Sequence, residues 1–182
     1  MTHNEIKQWL DKTHIQNYTI RPDGVVDVAG DVVLFNPGEE LSIIPIQFGT
    51  VTGEFNCNET KLTSLKGVPH QVDGNFRCSF TEVKSLEYAP ESVNGYFSCY
   101  NSQIKSLSGI DKIVKHIGGD FICDDDVTHI LGLLLIEGIT SFNIDNERGK
   151  INGILNKYVG TGDILSAQDE LIDAVLIDQA RL

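Results

Sequence analysis

The chain has 182 residues, 41% of them hydrophobic, and a formal net charge of −12, a composition that suits one folded unit with a buried core. No apolar run reaches the roughly 18–20 residues of a membrane-spanning helix. Met1-Thr-His-Asn-Glu5 lacks the basic start and apolar stretch of a signal peptide, so a cytoplasmic protein is expected.

The charge is uneven. Residues 1–50 hold 7 acidic and 3 basic side chains (net −4), residues 51–116 hold 7 and 7 (net 0), and residues 117–182 hold 12 and 4 (net −8). Such a surface excludes nucleic acid and anionic membrane as direct partners and favours a basic protein surface.

In chain order, Thr2-His-Asn-Glu5 has the form of a capping box. Ile6, Trp9 and Leu10 follow at helical spacing, with Lys12 near the end, which predicts a helix over about residues 3–13. Its apolar edge is expected to cover the open end of the core, and residues 1–24 form an N-terminal helical cap. Arg21-Pro-Asp-Gly24 reads as a turn. Val28-Ala-Gly-Asp-Val-Val-Leu34 is an imperfect first coil of the pattern that follows.

Val51-Thr-Gly-Glu-Phe-Asn-Cys57 recurs as Val72-Asp-Gly-Asn-Phe-Arg-Cys78 and as Val93-Asn-Gly-Tyr-Phe-Ser-Cys99. Leu65, Leu86 and Leu107 each follow their cysteine by eight residues. A fixed period of about 21 residues is the signature of a solenoid in which each repeat makes one coil. Alternation sends Val51, Phe55 and Cys57 inward and Glu54 and Asn56 outward. Each coil therefore reads as a strand near residues 53–57, a polar corner, an apolar edge at Leu62 and Leu65, and a corner such as Gly67-Val-Pro69. Gly53, Gly74, Gly95 and Gly119 fall at a bend where a side chain would clash. Cys57, Cys78, Cys99 and Cys123 occupy one position in successive coils, so a ladder of buried thiols is expected rather than disulfides or zinc.

Ile117-Gly-Gly-Asp-Phe-Ile-Cys123 opens a further coil with Asp124, Asp125 and Asp126 at its corner, and Gly138–Ile144 supplies a last strand. Asn146 is placed as the N-cap of a helix over Ile151–Tyr158. Thr161-Gly-Asp163 caps a final helix over about residues 164–181, with Leu165, Ala167, Leu171, Ile172, Val175 and Leu176 as its packing face. The fold expected is mainly β: a short right-handed leucine-rich-repeat-like solenoid over residues 25–145, with the N-terminal helix and C-terminal helices (residues 146–182) as caps.

The frame V-x-G-x-F-x-C followed by L-x-S-L and a G-x-P corner resembles the leucine-rich-repeat-like solenoid accessory proteins of T-even-like tailed phages. The opening Pro22–Asp31 and the ending Ile154–Tyr158 and Thr161–Leu171 resemble that family too, so the likeness covers most of the chain. Tyr88 stands where the family has Gly, and Val83 and Ile104 replace Leu. The resemblance implies a small accessory phage protein in the host cytoplasm, with no catalytic motif to carry over. Some small accessory phage proteins block host defence toxins.

The residues themselves point away from chemistry. His3, His14, His70, His116 and His129 pair with no serine or cysteine in a nucleophile motif, and no phosphate-binding glycine loop exists. Asp124–Asp126 with His129 is the one metal-like cluster, and it reads as a solvated acidic corner. Neither a metal nor a cofactor is expected.

Solenoids expose a continuous strand surface that partners use. Here Arg77, Phe80, Tyr96 and Tyr100 would form an aromatic group around a cation, the residue types of interface hot spots. Asp120, Asp124, Asp125 and Asp126 add an acidic end. For Phe80 the other reading is a ring folded back over the core edge.

The expected function is a non-enzymatic protein-interaction module. It binds and inhibits a host protein such as a defence toxin, the acidic end serving as a nucleic-acid mimic. The alternative is a structural or adaptor protein in phage assembly.

Overall fold

The computed structural model describes residues 1–34, 40–145, 149–174 and 176–182. The placements of Asn146 as a helix cap and of Val175 in the last packing face lie outside these residues.

Helix α1 (His3–Lys12) carries the capping box: Thr2 accepts from the Glu5 amide and Glu5 accepts from the Thr2 amide. Ile6 and Leu10 are buried, and Trp9 meets the ring of Phe48 at 6.3 Å, so the helix closes the N-terminal end of the core. Strand β1 (Tyr18–Ile20) then turns at Gly24, whose φ is +86°, and runs antiparallel to β2.

Five coils follow, each contributing two short strands. They are β2 (Val26–Val28) with β3 (Val32–Val33), β4 (Phe48–Val51) with β5 (Phe55–Asn56), β6 (Gln71–Val72) with β7 (Phe76–Arg77), β8 (Ser92–Val93) with β9 (Phe97–Ser98), and β10 (His116–Ile117) with β11 (Phe121–Asp124). Strand β12 (Phe142–Asp145) adds one more rung. The first strands of the coils stack into one sheet in the order β1-β2-β4-β6-β8-β10, and the second strands into another, β12-β11-β9-β7-β5-β3. Apart from β1 with β2, the pairings are parallel. The protein is a parallel β-solenoid with coils of about 21 residues, flanked by helices at both ends.

The inward residues are those that alternation predicts. Phe55, Phe76, Phe97 and Phe121 are fully buried and stack ring on ring at 5.8, 4.9 and 5.4 Å. Fully burying one such ring stabilises by about 1.5–3 kcal/mol. Cys57, Cys78, Cys99 and Cys123 are buried free thiols beside that spine. Burial pushes the Cys57 thiol up to about 12 and raises the other three as well.

The glycine bend is a backbone-on-backbone contact. A Cβ on Gly74 would lie 2.7 Å from the carbonyl of Gly53, and one on Gly95 would lie 2.8 Å from the oxygen of Gly74. Gly74 and Gly95 donate to the Gly53 and Gly74 oxygens at 3.0 and 2.9 Å, so this corner is itself a ladder.

Three features differ from expectation. Each coil has a second strand ahead of the glycine, because Val51, Val72, Val93 and Ile117 also pair between coils. The apolar edge stays extended in the middle coils. It is a 3₁₀ turn over Ile130–Leu135 in the fifth, and both conformations are what a coil of 21 residues has room for; the departure is the fourth coil, where helix α2 (Ile110–Ile113) makes one turn.

The third difference is the final helix, α4 (Ile164–Asp173), which follows α3 (Lys150–Tyr158) and stops well short of residue 181. The chain beyond it returns to the fifth coil. His129 and Ile130 donate to the oxygens of Asp178 and Gln179 at 3.1 and 3.2 Å, satisfying amides at the start of the 3₁₀ turn that lack partners within it. Ala180 is buried there. Leu165 and Ile172 fall on the side of α4 opposite Ala167 and Leu171, so the first two lie exposed while the second two are buried. Among the described residues no helix is long and apolar enough to cross a membrane.

Candidate interaction surface

The outer face of the second sheet carries three columns of side chains, one coil per row. The column through Asn56, Arg77, Ser98 and Ile122 is fixed by the parallel register of β5, β7, β9 and β11. Arg77 is half-buried and pairs with Glu54 at 3.6 Å. Glu54 also accepts from the side-chain amides of Asn56 and Asn75, which fixes the carboxylate that Arg77 pairs with. Ser98 points outward yet is only 8% exposed, and its hydroxyl bonds that of Ser79 at 2.7 Å.

Phe80 occupies the corner past this column. Its φ is +57°, in register with Glu59 at +58° and Asn101 at +51°, so the left-handed corner recurs coil after coil. For a bulky side chain this conformation is an outlier. The Phe80 amide donates to the Tyr100 oxygen at 2.9 Å, and the two rings meet edge to face at 5.8 Å and 77°. Phe80 is 48% exposed. Of the two readings of this residue, the ring folded over the core is not the one adopted.

Tyr96 stands at the opposite end of the strand, next to the glycine bend, with its amide donating to Asn75 Oδ1 at 3.1 Å. Three residues of extended chain lie between it and Tyr100, four rises or about 13 Å. The expected aromatic group is therefore a Phe80–Tyr100 pair, with Tyr96 apart from it.

The acidic set is largely engaged within the fold. Asp120 accepts from the hydroxyls of Thr140 and Ser141 at 2.8 and 2.7 Å, tying the fifth coil to the last strand. Asp124 accepts from the Asn101 amide at 3.1 Å, and Asp126 pairs with Lys105. Asp125 is exposed. Among the described residues no three His, Cys, Asp or Glu side chains come together as a metal site.

Comparison with family models, curated proteins and solved structures found no match.

Open cavities among the described residues include two on this surface. One of about 320 Å³ lies on the outer face of the first sheet, lined by polar groups including Asn17, Thr19, Thr50 and the paired Arg21 and Asp27. The other, about 200 Å³, is an apolar crevice where the 3₁₀ turn meets the C-terminal helices.

Sequence reasoning missed two kinds of residue. The corner asparagines and aspartates (Asp31, Asn58, Asn75) accept backbone amides of the next coil, a role that outward polarity conceals. The strain at Phe80 had a readable signal: Asn101, a residue tolerant of left-handed backbone, lies one period later.

Proposed function

We propose that the protein is a non-enzymatic interaction module, a phage accessory protein of the host cytoplasm that binds and inhibits a host protein with a basic surface, such as a defence toxin. The observation that carries this reading is the edge-to-face Phe80–Tyr100 pair, its Phe80 ring half exposed, at the corner that ends the strand ladder. A large aromatic ring held in a strained corner and left in water contributes little to the core. Strain of this kind clusters at functional positions, and rigid aromatic rings are among the side chains that dominate binding hot spots.

The charge supports a basic partner, since the chain carries −12 overall and −8 in residues 117–182. Catalysis has no comparable support: the four cysteines are buried with their thiols held protonated by burial, so none is a nucleophile.

The test is affinity capture from bacterial extract with the native protein, with F80N/Y100A and with D124N/D125N/D126N. Loss of a hot-spot pair costs at least about 2 kcal/mol, roughly thirtyfold in affinity. Recovery of the same partner by F80N/Y100A at native strength would rule out the strand face. Incorporation of the protein into purified virions would favour a role in assembly instead.

A further inference from the structure

Helix α4 carries two faces. Ala167 and Leu171 are buried against the solenoid end. On the other side Leu165 is 74% and Ile172 46% exposed. They are seven residues apart, two turns on one side of the helix, with a rise of about 10.5 Å between them. Asp169 lies between them and Asp173 directly follows Ile172, and both are exposed. No ion pair to Asp169 or Asp173 is found among the described residues, whereas Glu170 on the same helix is taken by Lys157 and Tyr158. The helix has no lysine or arginine of its own.

Just ahead of the helix, Gly160 and Gly162 of the loop that leads into α4 line the apolar crevice of about 200 Å³ together with Leu133, Leu135, Ile139 and Phe142. Leu135 is itself half exposed. A narrow apolar stripe with carboxylates alternating along it, preceded in the chain by a loop that lines a pocket large enough for one big side chain, suits recognition of an amphipathic helix.

We propose that this face of α4, with the crevice that the preceding loop lines, docks a basic amphipathic helix of another protein. The partner would set apolar side chains two turns apart over Leu165 and Ile172, place a large one in the crevice, and set lysines or arginines against Asp169 and Asp173. Charge decides between possible occupants. A second copy laid on the same stripe would oppose aspartate to aspartate, and a neutral or acidic helix would leave both carboxylates buried without partners. The surface belongs to the C-terminal cap and stands independently of the strand-face reading.

A fluorescent helical peptide of leucine and lysine in amphipathic order is the probe, with the same peptide carrying glutamate for lysine as its control. Binding is followed by anisotropy, and thermal melts of each variant confirm the fold. The lysine peptide is expected to bind the native chain and F80N equally. L165S/I172S, which keeps every charge, should weaken binding at least tenfold, and D169N/D173N should weaken it and flatten its salt dependence. I43S, which removes an exposed isoleucine at the other end of the molecule, should change nothing. The inference fails if L165S/I172S binds like the native chain, if the glutamate peptide binds as well as the lysine peptide, or if light scattering shows the native chain self-associating through this face.

Discussion

At Phe80 a local cost and a surface gain coincide. Left-handed backbone is unfavourable for a bulky L-residue by about 1–2 kcal/mol, while the edge-to-face contact with Tyr100 returns about 0.5–1.5 kcal/mol. Replacing Phe80 with Asn relieves the first and loses the second. The variant should therefore unfold in denaturant within about 1 kcal/mol of the native chain, and a binding defect in it would be a surface effect. Gly74 is the opposite case, because its neighbours are backbone atoms of the adjacent coil at 2.7–2.8 Å that cannot step aside. Gly74→Ala should lose about 3 kcal/mol or more in the same experiment, at the upper end of what overpacking costs. The buried thiols give a third check: a disulfide-exchange reagent should leave all four cysteines unmodified in the native protein and react with all four in denaturant.

At the scale of elements the solenoid must end somewhere, and helix α3 ends it. The outer edge of β12 presents the amides of Phe142 and Ile144 with no further strand to accept them. Asn156 and Asn152, one turn apart on α3, accept both at 2.7 Å, and the Asn156 amide donates back to the Phe142 oxygen at 3.2 Å. Two side chains thus imitate the next rung and blunt an edge that would otherwise recruit strands. Asn152→Ala and Asn156→Ala should each cost about 1–3 kcal/mol by orphaning an amide. The double variant should form end-to-end oligomers visible by size exclusion.

The coils were legible in the sequence because valine, phenylalanine and cysteine recur at fixed spacing and must face one core. The first-sheet strands were not: β6 and β8 are two residues long, with a single inward side chain each, too short for alternation to register. The asparagine plug and the shortened α4 were hidden for a different reason. The plug depends on α3 folding back on the strand just before it, which sets Asn152 and Asn156 against β12. The tail contact joins residues about fifty positions apart, His129 and Ile130 with Asp178 and Gln179, while the apolar period of α4 continues past the point where that tail departs. The site was half legible: aromatic residues near Arg77 could be read off the repeat, but the separation of Tyr96 from Tyr100 needed the strand direction.

Four carboxyls held below their ordinary range lie toward the two ends of the molecule. The Thr2 amide and hydroxyl hold the Glu5 carboxyl below its ordinary range, and Arg21, with the Thr50 amide, does the same for Asp27. At the other end the Ser166 side chain and amide lower Asp163, and Lys157 and Tyr158 lower Glu170. A carboxyl whose folded pKa is depressed contributes stability that is present above its unfolded value, near 4, and is lost as pH falls through the folded one. The thiols of the spine between the ends do not ionise in this window, since burial raises them. Acidification below about pH 4 should therefore loosen α1 and α4 before the middle coils, seen as earlier loss of amide protection in the two helices.

The register of the middle coils has a genetic corollary. Gln71 and Val72 face Ser92 and Val93 just as Thr50 and Val51 face Gln71 and Val72, and Phe76 faces Phe97 as Phe55 faces Phe76. Excising residues 72–92 in frame would join Gln71 to Val93 and leave every remaining rung beside one of its own kind. The molecule would shorten by a single interstrand spacing, about 4.8 Å. Tandem duplication would lengthen it by the same step, so replication slippage alone could resize the displayed face without a new core being invented.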